Sequence, residues 1–285
     1  MKIGIVSNLQ EQKGLYRDAM ILNSILTDHC VRLIDFRDGD TEKFDLIIQL
    51  EVCVPYFFNQ AKIHWWIPNP EWCNDSQLCY SGKFEKVLCK TKEAFRLLSP
   101  YATKPNQVIY TGFMSEDHYD PNVQRKKLFF HAKRGSMVKG TPQVEEARKI
   151  TNFPLVIADG FSDEELRLKQ NQCLFHLQPS WTEGWSHTIW EGLSCGAIMA
   201  STDIPPMNEY EGVAYRIPLI GKDVLRLATI GKVDANGILG AVNWCEKLTD
   251  EQIGELSKKA RNSYLEECEN FKEAFLGLFT GYMGA

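Results

Sequence analysis

What this 285-residue chain lacks narrows its function before anything it contains does. No apolar run approaches the roughly 18 residues that a membrane-crossing helix needs, so no span is expected. Met1 runs straight into a β-branched stretch, with no charged leader and no apolar signal core before it. A soluble, cytoplasmic protein is the expectation. Charge of neither sign dominates: 32 Lys and Arg against 37 Asp and Glu leave a formal net charge of −5. Such a balance gives no global pull toward nucleic acid or anionic membrane. No G-x4-G-K-[ST] phosphate loop occurs. Nine cysteines are scattered and odd in number, and Cys73 and Cys79 have neither C-x2-C spacing nor neighbouring histidines. A zinc site is therefore not expected, and reduced, buried thiols fit better than a disulfide framework. Repeats and low-complexity tracts are absent too.

What is present is an alternation of short apolar strands with amphipathic helices. Strands are expected at 2–6, 31–36, 44–50, 62–67, 87–89 and 108–110, with helices over 15–27 and 92–98. Residues 114–126 are polar and charged and read as a linker. Alternation then resumes, with strands at 128–131, 155–158, 173–177, 198–201 and 214–217. Helices are expected over 142–150, 162–171, 186–195, 234–247, 249–268 and, last, 271–282. This rhythm predicts an α/β chain of two Rossmann-like, doubly wound parallel-sheet domains facing a cleft. The boundaries are set at 1–118 and 119–267, with a C-terminal helix at about 268–285 that packs back on the first domain.

The stretch from Pro179 to Gly196 concentrates the chemistry. Glu183 precedes a helix that begins near Ser186, and Glu191 lies inside it among Thr188, Ile189, Leu193 and Cys195. Gly184, Trp185 and Ser186 offer backbone N–H groups at the helix start, where free donors and the helix dipole favour an anion. Carboxylates bind hydroxyls and free amides bind phosphate, so the stretch suits a sugar carrying a phosphate. A second cluster, Arg134 and Lys139, flanks a glycine-bearing turn after the 128–131 strand. Two fixed cations there suit a diphosphate, although a solvated basic loop has the same composition. Asp38-Gly39-Asp40 has the D-x-D spacing of a metal site but reads as a turn, and no metal is expected. His131 and His176 fall in strands and read as core histidines; His187 is placed to reach a ligand.

These residues together resemble the retaining nucleotide-sugar glycosyltransferases of the GT-B fold, in particular the family numbered 4. Arg134, Lys139-Gly140, Pro179-Ser180, Glu183-Gly184-Trp185 and the run Glu191 to Ala197 carry the resemblance. That last run is similar to the family's E-A-x-A-C-G-x-P, with Ile198 where proline is usual. The likeness covers about residues 126–215. It implies that Arg134 and Lys139 bind the donor diphosphate and stabilise the leaving charge. It also implies that Glu191 holds the ribose and that Glu183 positions the transferred sugar. Gly184, Trp185, Ser186, His187 and Thr188 complete the donor site. Transfer with retention, no metal and no cofactor beyond the nucleotide-diphosphate sugar follow from the same resemblance.

The chain also departs from that pattern. Ser7 to Gly14 replaces the glycine-rich loop usual after the first strand, and the acceptor-side histidine has no counterpart. Asn69, Glu71 and Trp72 stand at the equivalent strand end and are the acceptor-side candidates, with an aromatic core edge as the other reading. The acceptor is a glycan, a protein or a hydroxylated DNA base. For DNA, Arg125, Lys126, Lys127, Lys86, Lys90, Lys92 and Arg96 are candidate phosphate contacts. A non-catalytic nucleotide-sugar binding module remains the rival function. Donor identity and oligomeric state are not legible in the chain.

Overall fold

The computed structural model describes residues 1–10, 14–39, 42–133 and 137–280. Arg134 and Asp40 lie outside them. The chain divides into two compact units. Unit 1 comprises Met1–Phe113, Arg226–Ala228 and Asn270–Ala285; unit 2 comprises Met114–Leu225 and Thr229–Glu269.

Apolar, β-branched runs in unit 1 become parallel strands, of which the central Lys2–Ser7 and Phe44–Leu50 are buried along most of their length and the edge strands less so. In chain order its elements are β1 (Lys2–Ser7), α1 (Gly14–Ile25), β2 (Cys30–Asp35), β3 (Phe44–Leu50), β4 (Ala61–Ile67), α2 (Asp75–Leu78), β5 (Lys86–Cys89), α3 (Lys92–Leu98) and β6 (Val108–Tyr110). The strands form one sheet in the order β2-β1-β3-β4-β5-β6. Ile5 pairs with Leu33 on one side and with Ile48 on the other, both in parallel register. The order reverses between β1 and β3, so a crevice opens beyond the carboxyl ends of those strands. Trp65 and Trp66 are wholly buried: Trp65 meets Phe275 and Phe279, and Trp66 stacks on Phe84.

Unit 2 repeats the scheme with β7 (Lys126–Ala132), α4 (Thr141–Thr151), β8 (Leu155–Ala158), α5 (Asp163–Gln172), β9 (Cys173–Gln178), α6 (His187–Ser194), β10 (Ile198–Thr202) and β11 (Val213–Ile217). A hairpin, β12 (Gly221–Leu225) and β13 (Ala228–Lys232), follows, then α7 (Ala235–Glu246) and α8 (Asp250–Gly277). Sheet order is β11-β10-β9-β7-β8, again parallel, with the reversal between β7 and β9. Phe129, Phe175, Leu177, Ile198 and Ala200 pack against Ile238, Ala241 and Val242 of α7 to form the core on one face. Local sequence signals fix the helix starts. Ser162 and Glu165 form a reciprocal capping box on α5, and Asp234 accepts from the Gly237 N–H to cap α7.

Three features differ from the sequence reading. The two helices expected over 249–268 and 271–282 are one helix, α8, of 28 residues. Neither Gly nor Pro interrupts the chain between Gly254 and Gly277, and the buried stripe Ile253, Ala260, Tyr264, Cys268, Phe271, Phe275 runs through at helical spacing. The β12–β13 hairpin was not expected. Finally, the segment 114–126 is no free linker: it belongs to unit 2, Lys126 already opens β7, and several of its polar groups are tied within that unit. Asp117 pairs with Arg261, Glu116 with Arg167, His118 with Gln170, and Arg125 donates to the Gly196 carbonyl.

Candidate active site

Strand order, more than any single motif, assembles the site in unit 2. Because β7 and β9 are neighbours at the reversal, residues 137–140, after β7, and 179–186, after β9, lie side by side. Trp181 N–H donates to the Val138 carbonyl at 2.7 Å, clamping one loop to the other. Gly140 makes the close approach possible. Its φ is +70°, and a Cβ there would lie 2.4 Å from the Pro179 carbonyl oxygen. Only glycine meets both conditions. His131 locks the strands beneath, bonding the Leu177 carbonyl at 2.8 Å through Nδ1 and the Thr141 hydroxyl at 2.7 Å through Nε2. Burial pushes its pKa down to about 4, and that of His176 to about 3. Both are neutral core histidines, as their strand positions suggested.

Lys139 and Glu183, 44 residues apart in sequence, meet across this junction as an ion pair. Both side chains are largely buried, at 18% and 10% exposure, so the pair is only weakly screened by solvent. Each charge holds the other in place where the two loops meet. Glu183 leads into Gly184, Trp185 and Ser186. Trp185 does not face solvent: its indole stacks on Trp190 with rings 4.8 Å apart and 7° from parallel, and its carbonyl accepts from the Tyr210 hydroxyl. What the loop leaves for a ligand at Trp185 is backbone. Ser186, the N-cap of α6, has φ +65°, a left-handed conformation costly for a residue with a Cβ. The hydroxyls of Ser180, Thr182 and Ser186 are buried without a hydrogen-bond partner among the described residues. Buried hydroxyls are seldom left so, and orphans of this kind mark water or a ligand.

The first residue of α6, His187, bonds Ser115 Oγ at 2.8 Å through Nδ1. Ser115 Oγ also accepts from the Trp185 indole at 3.1 Å, and its carbonyl accepts from the Tyr264 hydroxyl. Ser115 thus fixes Trp185, His187 and α8 from one buried point. Sequence reading passed over it, because nothing marks a serine inside a charged stretch until the fold brings Trp185 to it. Glu191 is 1% exposed; Gln170 Nε2 donates to its Oε2 at 3.2 Å, and Gln170 in turn meets His118. Thr188 is buried beside it on α6. Gly192 is needed because a Cβ there would lie 2.6 Å from His176 Nδ1.

In unit 1 the residues Asn69, Glu71 and Trp72 stand just beyond β4. Asn69 and Glu71 are buried, whereas Trp72 is 49% exposed, so the aromatic-edge reading applies to Trp65 and Trp66 alone. Asn69 Nδ2 donates to Glu51 Oε2 at 2.8 Å. The Arg226 guanidinium lies 4.5 Å from the Trp72 ring centroid and donates to the Glu71 carbonyl. Most cations considered for DNA are engaged within their own unit. Lys90 pairs with buried Asp18, Arg96 with Glu93 and Lys127 with Asp250, Lys86 bonds the Asn106 carbonyl, and Arg125 is held as above. Among the described residues no group of three His, Cys, Asp or Glu side chains converges as a metal-ligand set. None of the described helices is long and apolar enough to cross a membrane. No disulfide links any of the nine cysteines among the described residues, and six of the nine are buried.

No protein-family model matches this chain, and no curated protein matches it by sequence. Solved structures do. Sucrose-phosphate synthase from Thermosynechococcus elongatus superposes with a TM-score of 0.74 at 10% identity, over 99% of this chain and 99% of that one. The Anabaena protein HepE, solved with UDP and glucose, gives 0.68 at 12% identity over 99% and 100%. The lipopolysaccharide outer core galactosyltransferase WaaB gives 0.64 at 11% over 98% and 100%. A matched chain of the GtfA/B complex is longer, and the match spans 57% of it. The chain therefore has the fold of the GT-B glycosyltransferases.

Proposed function

We propose that this chain is a glycosyltransferase that moves a sugar from a nucleotide-diphosphate donor to an acceptor hydroxyl, with retention of configuration and without a metal. The observation that carries the reading is the Lys139–Glu183 pair at the sheet reversal of unit 2, the place where open α/β sheets bind ligands. A diphosphate arriving there would take Lys139 as its counter-ion, and a sugar hydroxyl would take Glu183 as its acceptor. In the free chain each of these groups keeps the other oriented, so little reorganisation is needed on binding. Arg134, outside the described residues, is assigned the second diphosphate contact on its sequence context alone.

The orphan hydroxyls of Ser180, Thr182 and Ser186 supply further partners for sugar or phosphate oxygens. The backbone of Gly184 and Trp185, pinned from behind by Tyr210, presents amides in the same loop. His187 and Thr188 open α6 beside it, and Glu191 is assigned to the ribose, for which Gln170 would exchange its bond. Glu183 is a positioning group: a carboxylate held in an ion pair is a poor nucleophile, which favours attack from the leaving-group face. HepE is solved with UDP and glucose, which makes a UDP-hexose the first donor to test. Engagement of the candidate DNA-contacting cations within their own units weighs against a DNA acceptor.

The test is transfer by folded E191A and R134A variants, with product anomers assigned by NMR and with EDTA present throughout. Loss of transfer in both, and a retained anomer in the wild type, is expected. Full activity in both folded variants overturns the residue assignment, an inverted product overturns retention, and inhibition by EDTA overturns metal independence. Donor binding with neither transfer nor donor hydrolysis would favour the binding-module reading.

A further inference from the structure

Unit 1 carries a polar cluster at the carboxyl ends of its central strands, in which Asp18, Asn69, Glu71 and Lys90 are buried, Glu51 is half-buried and Arg226 is exposed. Glu51 directly follows β3, Asn69 and Glu71 follow β4, and Lys90 follows β5 with its partner Asp18 from α1. Arg226 completes the group through the Glu71 carbonyl. Glu51 is held in a left-handed conformation, φ +62°, and its own carbonyl accepts from the Trp66 indole at 3.0 Å. Its carboxyl pKa is raised, first by burial, against the lowering effect of the Asn69 hydrogen bond and the Lys90 charge. A left-handed backbone and a half-buried carboxyl that is costly to ionise both oppose stability, and such positions are kept where they serve a ligand.

The second observation comes from Asn69, which is 8% exposed. Its Nδ2 is spent on Glu51, and its Oδ1 has no hydrogen-bond partner among the described residues. The Asn69 Nδ2 bond fills one of the carboxylate's several acceptor sites, so the orphan amide oxygen and the carboxylate both keep acceptor capacity. Their complement is a ligand that brings two adjacent O–H donors. A phosphate would bring acceptors to acceptors and face Asp18, Glu51 and Glu71, with only Lys90 and Arg226 to offset them.

We propose that Glu51 and Asn69 bind the acceptor of the reaction, and that this acceptor is an uncharged polyol or sugar presenting a vicinal diol. This rests on the glycosyltransferase reading above and extends it to the acceptor class. Neither residue is given a proton-transfer role; both orient hydroxyl groups.

The experiment uses the full chain with UDP-glucose and, as acceptor probes, methyl glucoside, galactoside and mannoside and the 6-phosphate of each. Transfer is read by mass spectrometry, and donor binding by calorimetry. Variants are E51Q and N69A, with near-UV circular dichroism of the unit 1 tryptophans as the folding control. The expected result is transfer to a neutral glycoside, with kcat/KM for that acceptor down about tenfold or more in both variants, and donor Kd changed by less than about twofold. Wild-type transfer by both folded variants, or preference for the phosphorylated glycosides, overturns the acceptor proposal and leaves the donor reading standing. A wild-type chain that neither binds nor turns over the donor overturns the acceptor proposal together with the reading beneath it.

Discussion

Replacing Gly140 by alanine should cost far more than replacing Gly160, although the two glycines share the same backbone conformation. Their φ angles are +70° and +71°. An alanine in that left-handed region costs about 1–2 kcal/mol, partly offset by about 0.4–1 kcal/mol from a stiffer unfolded chain. Nothing lies within 4 Å of a Cβ at Gly160, so G160A should lose only about 1 kcal/mol. At Gly140 the Cβ would stand 2.4 Å from the Pro179 carbonyl oxygen and 2.9 Å from Pro179 Cγ. Ordinary contact distance requires the loops to part by roughly 1 Å. That movement breaks the Trp181–Val138 hydrogen bond, worth about 1 kcal/mol, and adds overpacking strain of about 1–3 kcal/mol. G140A should therefore be destabilised by about 3 kcal/mol or more. It should also pull Lys139 from Glu183. Urea unfolding followed by tryptophan fluorescence gives the first quantity, and calorimetric donor titration gives the second. Equal destabilisation in the two variants would refute the close-approach argument.

Acid should destabilise the fold in a definite window. His131 and His176 have pKa values of about 4 and about 3 in the folded chain against an ordinary 6.5, so the unfolded chain takes up their protons first. The stability they contribute is complete above pH 6.5 and falls as pH drops toward 4, by about 1.4 kcal/mol per pH unit for each histidine. Within that window protonation of Glu51, whose pKa is raised, opposes the loss, and below about pH 4 Asp35, held well under the carboxylate range by Arg37, adds to it. A melting temperature independent of pH across that window would contradict the assignment. Removing the Ser115 hydroxyl takes one hydrogen-bond partner from both Trp185 and His187. S115A should lose about 1–3 kcal/mol and weaken donor binding, and a variant with unchanged stability would dismiss Ser115 as an anchor. Thiol alkylation of the folded chain should label Cys30 and Cys79 and spare Cys173, Cys195 and Cys245, whose pKa values burial raises to about 11, 12 and 12. Rapid labelling of the buried three would show that the native packing opens readily.

Strands were legible because their signal is local: runs such as Phe44–Leu50 and Cys173–Gln178 are apolar, short and bounded by turns. Capping is a local signal as well: Ser162 and Glu165 stand three residues apart at the start of α5. Sheet order was not, since no residue of β7 announces that β9 will lie beside it. The meeting of Lys139 with Glu183 follows from that order and not from either loop alone. Ser186 carries no sign that it will sit at positive φ, because serine at a helix start normally caps from the extended region. Glu51 reads in sequence as one more polar residue ending a strand. Only the left-handed turn and the Asn69 amide give it a neighbourhood. The polar segment 114–126 misled in the opposite sense: its charges signal solvent exposure in isolation, yet Glu116, Asp117 and His118 find partners on α5 or α8 and Arg125 on the Gly196 carbonyl.

Lys139 and Glu183 are the proposed donor site of a nucleotide-sugar transferase. Calorimetric titration of the wild-type chain and of K139M with UDP-, GDP-, ADP- and CMP-linked sugars tests it most directly. One donor class should bind the wild type, and K139M should lose about tenfold or more in affinity, the loss expected when a buried charge-assisted contact to a phosphate is removed. Absence of binding by every donor, or equal affinity in a folded K139M, would contradict the account.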